Sequence, residues 1–306
     1  MSKRKESEFL VDSIKGSGYP LEIETSNLLE KKNFLVWNTH FYYDEEIKEG
    51  RSIDIFAAKE TGIQEEKIIA KLSPVNMYVY SVIECKKTSA HAWIFYVRPS
   101  IIASTSFLSG QYLTSVPRDS FDTFRPVLEA RCRVLHYDKF KRFAVAYQEI
   151  KKQKTNEPRR SGSVRNEIFE GVNQLVRFLC YEIHQRLRTI DTFDSDFRRE
   201  NIWMEFFFPV IVFDGDMYQA TFDSGKLRVK RAKHVVLVTN HRCPYCNEAE
   251  GFTIDVVHRS YFEEFIDVLG KDRIALFKVV LRDKNLLLEQ ARLQQARSQL
   301  HEKGGS

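Results

Sequence analysis

VYSVIECKK, residues 79–87, is the stretch of sequence that decides how the rest of the chain is interpreted. Its first five residues are mostly β-branched or aromatic, which is typical of a buried strand. Side chains alternate between the two faces of a strand, so Glu84 and Lys86 share one face and Cys85 lies on the other. A carboxylate and an amine side by side at the end of an apolar strand indicate a functional site.

A second strand-like run, SIDIFAA at residues 52–58, is interrupted by Asp54 in the same manner. Asp54 precedes Glu84 by about 30 residues, which is enough chain for one strand, a connection and a second strand. If the two strands are neighbours, the carboxylates of Asp54 and Glu84 converge on one hard cation. The amine of Lys86 then lies beside that cation.

Residues 20–32 are predicted to form a helix, because Pro suits the first helical turn and an apolar stripe follows it. This helix carries Glu22. A helix with Glu22, then a strand, a strand with Asp54 and a strand with Glu-x-Lys resemble the PD-(D/E)XK nuclease superfamily. The resemblance covers residues 18–98 and is looser beyond them. It departs from the family pattern at Ile53, which stands where Pro often precedes the aspartate.

The resemblance implies an α/β fold of the restriction-endonuclease-like type, with a central mixed sheet flanked by helices. Residues 1–98 would form the N-terminal part of the nuclease core, and residues 99–162 an insertion and linker. Residues 163–306 would supply the remainder of the core, with C-terminal strands and a helical extension. A separate C-terminal domain is the open alternative for this last part.

Local patterns predict further elements in the second half of the chain. Helices are expected over residues 140–152 and 164–188, and a strand over residues 203–213. Asp-Gly-Asp at 214–216 is expected to end that strand in a turn. A long amphipathic helix is expected near residues 272–300.

The resemblance also implies an activity, the hydrolysis of DNA phosphodiester bonds by a Mg²⁺- or Mn²⁺-dependent endonuclease. Asp54 and Glu84 would bind the metal, with the backbone carbonyl of Cys85 as a further ligand. Lys86 would assist the attacking water, either as a base or by stabilising the developing negative charge. Glu22 would be the acid carried by the helix.

Several neighbouring residues are weaker candidates. Arg51 and Lys87 flank the site and are predicted to contact phosphates, although solvated charges at strand ends are the alternative. Glu24 is the alternative to Glu22, since one helical face cannot present both. Trp93, Phe95 and Tyr96 could stack on bases, but core packing is favoured.

Composition sets broad limits on the protein. The chain has 306 residues, 43% hydrophobic content, a formal net charge of +5 and a pI of about 8.8, which permit a polyanionic partner without establishing one. Five scattered cysteines do not suggest a disulfide framework, and no apolar run suits a signal peptide or membrane span. A cytoplasmic protein is therefore predicted.

Two other classes of function remain open from sequence. The chain could be a catalytically inactive nuclease-fold protein that binds nucleic acid or serves in assembly. It could also be an interaction subunit whose C-terminal helix joins a protein partner or a second copy. Cys243 and Cys246 form a lone C-x-x-C, which leaves a zinc site undecided. DNA is expected over RNA only through the resemblance, as are roles in repair, restriction or anti-phage defence.

Overall fold

The protein is described by a computed structural model with several gaps between its described parts. The described residues are 10–11, 13–14, 17–60, 75–99, 112–114, 135–152, 166–191, 202–242, 245, 249–282, 285 and 289. Three helices are formed: α1 (Tyr19–Lys31), α2 (Glu167–Asp191) and α3 (Phe262–Arg282). Nine strands are β1 (Leu35–Asp44), β2 (Glu49–Glu60), β3 (Val75–Arg98), β4 (Tyr112–Thr114), β5 (Phe143–Lys151), β6 (Ile202–Asp223), β7 (Lys226–Arg231), β8 (His234–Arg242) and β9 (Ala249–His258).

All nine described strands belong to one mixed sheet. β1, β2 and β3 follow each other in antiparallel order, and β3 runs parallel to β6 along nearly its whole length. β5 pairs with β3, β8 with β5 and β9, and β9 with β6. β3, β5, β8, β9 and β6 are therefore joined in a closed circuit of pairings. The α/β class with a mixed sheet flanked by helices is confirmed.

Helices cover both faces of the sheet, so the core has two layers. One layer packs α1 and α3 against the sheet, with Leu29 and Phe265 fully buried. The other packs α2 against the opposite face, with Leu175 and Phe178 fully buried. Strands buried on both faces read as continuous apolar runs, which explains the sequence FFFPVIVF in β6.

β3 and β6 are both longer than the sequence predicted. β3 does not end at Lys86 but continues to Arg98, so Glu84 and Lys86 lie within a strand. The predicted turn at 214–216 is also wrong, because β6 runs through it. A Cβ on Gly215 would lie 2.7 Å from the backbone oxygen of Thr88, so glycine here permits close approach of the two strands.

The helix predicted over residues 140–152 is wrong, since residues 143–151 form β5. β5 pairs with the second half of β3 from Phe143 to Lys151, and this pairing overrides a weak local helical pattern. The helices predicted at 20–32 and 164–188 are confirmed as α1 and α2. None of the helices formed by the described residues combines the length and apolar character needed to cross a membrane.

Candidate active site

Asp54 lies where β2 leaves the ladder with β3. The described pairing of these strands ends at Ile55 and Ile83, so Asp54 and Glu84 are the next residues on the two strands. Ile53 packs in the α2 layer and Ile55 in the α1 layer, although alternate residues of a regular strand share a face. The strand therefore changes face at Asp54.

The partner strand has an irregularity at the same level. The pairing of β1 with β2 omits Thr39 and Asp54, and Thr39 has a positive φ of 54°, which no regular strand residue has. A positive φ is rare for a β-branched residue and marks a local distortion. The distortion frees the Asp54 carboxylate to turn toward β3.

The Asp54 carboxylate is fixed by the backbone of β3. Its Oδ2 accepts a hydrogen bond of 2.7 Å from the backbone N–H of Cys85. Burial raises the pKa of Asp54, while the Cys85 N–H and the charge of Lys86 act in the opposite direction. The carboxylate thus takes the place of a backbone acceptor at the point where the two strands separate.

Glu84 is completely buried on the α2 side of β3. Its Oε2 accepts a hydrogen bond of 2.6 Å from the Nζ of Lys86, whereas its Oε1 is buried without a hydrogen-bond partner. Burial raises the pKa of Glu84 to about 8; the charge of Lys86 and the backbone N–H of Asp54 oppose this shift, and the charge of Asp54 adds to it. Oε1 is therefore the less completely paired of the two buried carboxylate oxygens.

The Lys86 side chain crosses the surface of α2 at a glycine. A Cβ on Gly171 would lie 3.2 Å from Lys86 Cε and 3.5 Å from Ile211 Cδ1. The Lys86 side chain is 22% exposed, so part of it meets solvent. Burial works to lower the pKa of Lys86, but Glu84 and Asp54 outweigh it and the pKa is raised. Lys86 is therefore a cation at rest.

Glu22 belongs to the same electrostatic group from the α1 side. Burial and the negative charge of Asp54 raise the pKa of Glu22, and Lys86 opposes them. Glu24, two residues later, instead forms an ion pair with Arg259 at 2.5 Å. The geometry therefore favours Glu22 over Glu24 as the helix-borne member of the group.

No family model, curated protein or solved structure matches this chain. Inference about function therefore depends on the four side chains just described: Glu22, Asp54, Glu84 and Lys86. Three carboxylates face one ammonium group in a poorly solvated region, so their ionised forms carry excess negative charge. Oxygen donors with excess negative charge are what Mg²⁺ prefers, and the partnerless Oε1 of Glu84 suits such a ligand. The carboxylates are donors of the chemical class that a hard divalent cation takes, although the oxygens of Glu22, Asp54 and Glu84 do not all lie within 4.8 Å of one another.

The other predicted contacts have varied positions. Arg51 is exposed and its Nε lies 3.9 Å from Asp44 Oδ2, in a charged cluster that also contains Arg177. Lys87 is exposed on β3. Trp93 and Phe95 are fully buried, which confirms core packing for both rings. Tyr96 is only half-buried, and its hydroxyl donates to Gln148 Oε1 at 2.8 Å. Phosphate contacts by Arg51 and Lys87 stay predictions, as does metal ligation by the Cys85 carbonyl.

Two neighbours of the site were not identified from sequence. Gly171 lies against Lys86 as described, and its position within an apolar helical stripe is a signal that could have been noticed. The hydroxyl of Tyr42 is buried without a hydrogen-bond partner, and burial, Asp44 and Glu84 raise its pKa. Tyr42 lies in an aromatic strand and gave no comparable signal.

Cys243 and Cys246, for which a zinc site was left open, lie outside the described residues.

A second buried polar cluster lies elsewhere on the sheet, and the sequence analysis missed it. The Nε2 atoms of His136 and His234 lie 3.0 and 2.7 Å from Asp255 Oδ1, and the Tyr137 hydroxyl donates to Asp255 Oδ2 at 2.7 Å. Asp272 contacts Nδ1 of His136 and also accepts from its backbone N–H at 3.1 Å. Its members come from widely separated parts of the chain, so no local spacing reveals them.

Within the described parts of the chain, His136, His234 and Asp255 are the one set of three with metal-ligand atoms within 4.8 Å of one another. Both ring nitrogens of His136 already face carboxylates, as does Nε2 of His234. Burial works to lower the pKa of His136, but Asp255 and Asp272 outweigh it and raise the pKa to about 9. Hydrogen bonds therefore pair the ring nitrogens of this cluster with its carboxylate oxygens. The cluster joins β8, β9 and α3.

Proposed function

We propose that this protein is a divalent-metal-dependent nuclease that hydrolyses DNA phosphodiester bonds at the group formed by Glu22, Asp54, Glu84 and Lys86. The observation that carries the proposal is the position of Asp54 and Glu84 at the end of one strand pairing, with Lys86 Nζ 2.6 Å from Glu84. Mutually coupled titratable groups with raised pKa values are frequent at functional sites.

The topology adds support for a restriction-endonuclease-like core. Glu22 is carried by α1, Asp54 by β2, and Glu84 and Lys86 by β3, in the order expected from the resemblance. The later helix and strand assigned to the same core are α2 and β6. β6 lies parallel to β3 and pairs with it at the level of the site, where Lys86 is opposite Phe213.

Asp54 and Glu84 would hold the cation, with the Cys85 carbonyl as a further donor and Glu22 close to its water shell. Bound Mg²⁺ supplies neutralisation of phosphate charge and a more acidic water. The protein fixes its donors in advance, because the Cys85 N–H orients Asp54 and Lys86 contacts Glu84. Such preorganisation lowers the cost of reaching the transition state.

Lys86 is proposed to act electrostatically. The neighbouring carboxylates raise its pKa in the metal-free protein, which favours the protonated amine. A protonated amine donates hydrogen bonds to phosphate oxygens and stabilises the negative charge that develops on them. Its partial exposure next to a buried carboxylate allows it to meet a phosphate without leaving Glu84.

Cleavage of supercoiled plasmid and of single-stranded DNA, with Mg²⁺ and Mn²⁺ titrated separately, tests the proposal. The wild type should cut in a metal-dependent manner, and Asp54→Ala and Lys86→Ala should each abolish cutting. Glu22→Gln should reduce it, whereas Glu24→Gln on the same helix is the matched control and should not. Full cutting by both Asp54→Ala and Lys86→Ala would refute the site.

A nucleic-acid-binding protein without turnover is the alternative outcome of the same experiment. In that case the wild type binds DNA in a salt-sensitive manner but yields no product at any metal concentration. Cleavage of RNA and not of DNA would retain the site and change the substrate.

A further inference from the structure

The second half of β6 and β7 form a two-stranded ribbon at one end of the sheet. Their antiparallel pairing runs from Tyr218 and Arg231 to Asp223 and Lys226. Ser224 and Gly225 connect the strands with positive φ values of 51° and 77°, as a tight two-residue hairpin turn requires. Every residue of β7 is exposed, so the ribbon extends away from the packed core.

One face of this ribbon is a row of cations. Alternation along β7 places Lys226, Arg228 and Lys230 on the same face. None of the three forms an ion pair with a described residue. Asp223, the acid paired with Lys226 in the strand register, instead binds Arg142 at 3.1 Å. Among the described residues, no acidic side chain therefore forms an ion pair with the cations of this face.

The tip of the opposite face is apolar and also exposed. Phe222, Leu227 and Val229 are 68%, 53% and 51% exposed. A ribbon with a basic face and an apolar face suits a groove of duplex nucleic acid, where cations meet phosphates and apolar side chains meet sugars and base edges. Two-stranded ribbons have the dimensions of the major groove.

The basic face lies on the same side of the sheet as the candidate active site. Lys86 is paired with Phe213 in β6, and Phe213 and Met217 both pack in the α2 layer. Because alternate residues of a strand share a face, Thr221 lies on the same face of β6 as Phe213 and Met217. Thr221 is paired with Arg228. The cations and Lys86 are therefore directed to one side of the molecule.

The distance between site and ribbon matches the repeat of DNA. The β6 partners of Lys230, Arg228 and Lys226 follow Phe213 by six, eight and ten residues, which corresponds to roughly 20 to 33 Å of extended strand with Lys226 at the far end. One turn of B-DNA is about 34 Å long. A duplex with one phosphate at Lys86 would present phosphates to the ribbon about one turn away.

We propose that the β6–β7 ribbon is a nucleic-acid-binding arm that holds duplex DNA through phosphate contacts of Lys226, Arg228 and Lys230. The placement of the cleaved bond near Lys86 rests on the proposed nuclease function, whereas binding by the arm does not. The arm supplies affinity that depends on charge, and the groove contacts of its apolar tip position the duplex.

The test compares two charge-matched triple variants of the full chain, each built on Asp54→Asn so that no DNA is cut. The arm variant is Lys226→Ala, Arg228→Ala and Lys230→Ala. The control removes three exposed cations from the helices, in Arg188→Ala, Lys271→Ala and Lys278→Ala. Binding to a fluorescein-labelled 30-bp duplex is measured by anisotropy between 50 and 200 mM salt, and thermal unfolding checks that both variants fold.

The arm variant should bind the duplex at least about tenfold more weakly at 100 mM salt. Its slope of log K against log salt should be shallower by about 2 to 3, because each lost phosphate contact removes about 0.9 from the slope. The control should retain most of the affinity and slope. Equal affinity and slope for the arm variant and its parent would overturn the proposal.

The outcomes also separate this proposal from the nuclease proposal. Weak binding by the arm variant together with a wild type that never cuts DNA supports the arm and refutes the nuclease. Normal cutting and binding by the arm variant in an otherwise wild-type chain refutes the arm alone. A changed oligomeric state in light scattering with unchanged DNA affinity would assign the ribbon to protein contacts and overturn the proposal.

Discussion

The protein contains two buried clusters of charged side chains, and they differ in how completely their polar atoms are paired. In the cluster around His136 and Asp255, ring nitrogens and carboxylate oxygens face one another. In the cluster around Asp54 and Glu84, one fully buried oxygen of Glu84 has no hydrogen-bond partner, and Lys86 reaches solvent. The polar atoms of the first cluster pair with one another and join separate elements, whereas the second keeps a less completely paired oxygen, as the proposed metal site requires.

The largest expected effect is that of Glu84→Gln, which should lower the rate of cleavage strongly while it changes the stability of the fold little. Because burial raises the pKa of Glu84 to about 8, an uncharged isostere suits the folded protein at neutral pH. We expect metal-dependent cleavage to fall by about 10²-fold or more, while the free energy of unfolding changes by less than about 1 kcal/mol. Urea unfolding and plasmid cleavage measure the two quantities, and a strongly destabilised variant would contradict the contrast.

The cluster around His136 and Asp255 should respond in the opposite way. Asp255→Asn removes a buried charge that His136 and His234 face, and breaking such a buried pair costs about 3–5 kcal/mol of stability. Cleavage per folded molecule should change little. Asp267→Asn is the matched control, because its ion pair with Lys32 lies at the surface, where solvent screens the charges. Equal losses of unfolding free energy in both variants would contradict a structural role for the cluster.

The pH dependence of stability gives a third test. The pKa of His136 is raised to about 9 in the folded protein from an ordinary 6.5, so its stabilisation is fully present below pH 6.5 and is lost as the pH rises toward 9. The loss should be about 3 kcal/mol. Glu84, with a folded pKa of about 8, acts in the same direction.

His136→Gln isolates the contribution of this histidine from that of Glu84. Urea unfolding of both proteins at pH 6.5 and pH 9 should show a smaller fall for the variant. A wild type that is equally stable at both pH values would show that the folded protein does not hold His136 in its charged form.

The smallest expected effect comes from a single methyl group beside Lys86. Gly171→Ala places a Cβ 3.2 Å from Lys86 Cε, so the lysine must shift by a few tenths of an ångström. We expect cleavage to fall about threefold to tenfold. The free energy of unfolding should be unchanged or rise by up to about 1 kcal/mol, because Ala favours the helix interior over Gly.

Gly270→Ala in α3 is the control for this substitution. Nothing lies within 4 Å of a Cβ added there, so it should gain helical stability without any effect on cleavage. Reduced cleavage in both variants would show that the effect of Gly171→Ala does not act through Lys86.

The sequence revealed the members of the candidate site better than its surroundings. Asp54, Glu84 and Lys86 stand out because charges interrupt apolar strands, and alternation correctly places Glu84 and Lys86 on the same face. The ends of strands were less predictable, since β3 continues past Lys86 only because β5 and β6 pair with its second half. For the same reason β5 is a strand where the local pattern predicted a helix.

The cluster around His136 could not be predicted at all. His136 and Asp255 are separated by 119 residues, and neither lies in a motif with metal-ligand or catalytic spacing. Their meeting depends on the pairing of β8 with β9 and on the packing of α3, which brings Asp272 to the backbone of His136. Contacts of this kind follow from tertiary packing and leave no local pattern in the sequence.

The parallel pairing of β3 with β6 bears on how the protein is made. Lys86 is opposite Phe213, so the strand that completes the sheet beside the site is synthesised long after Lys86 itself. Contacts of such long range form slowly, because the chain between them must first be ordered. Polypeptides that end before β6 should contain all four site residues without the strand that supports them, so the proposed activity should require a chain that extends through β6.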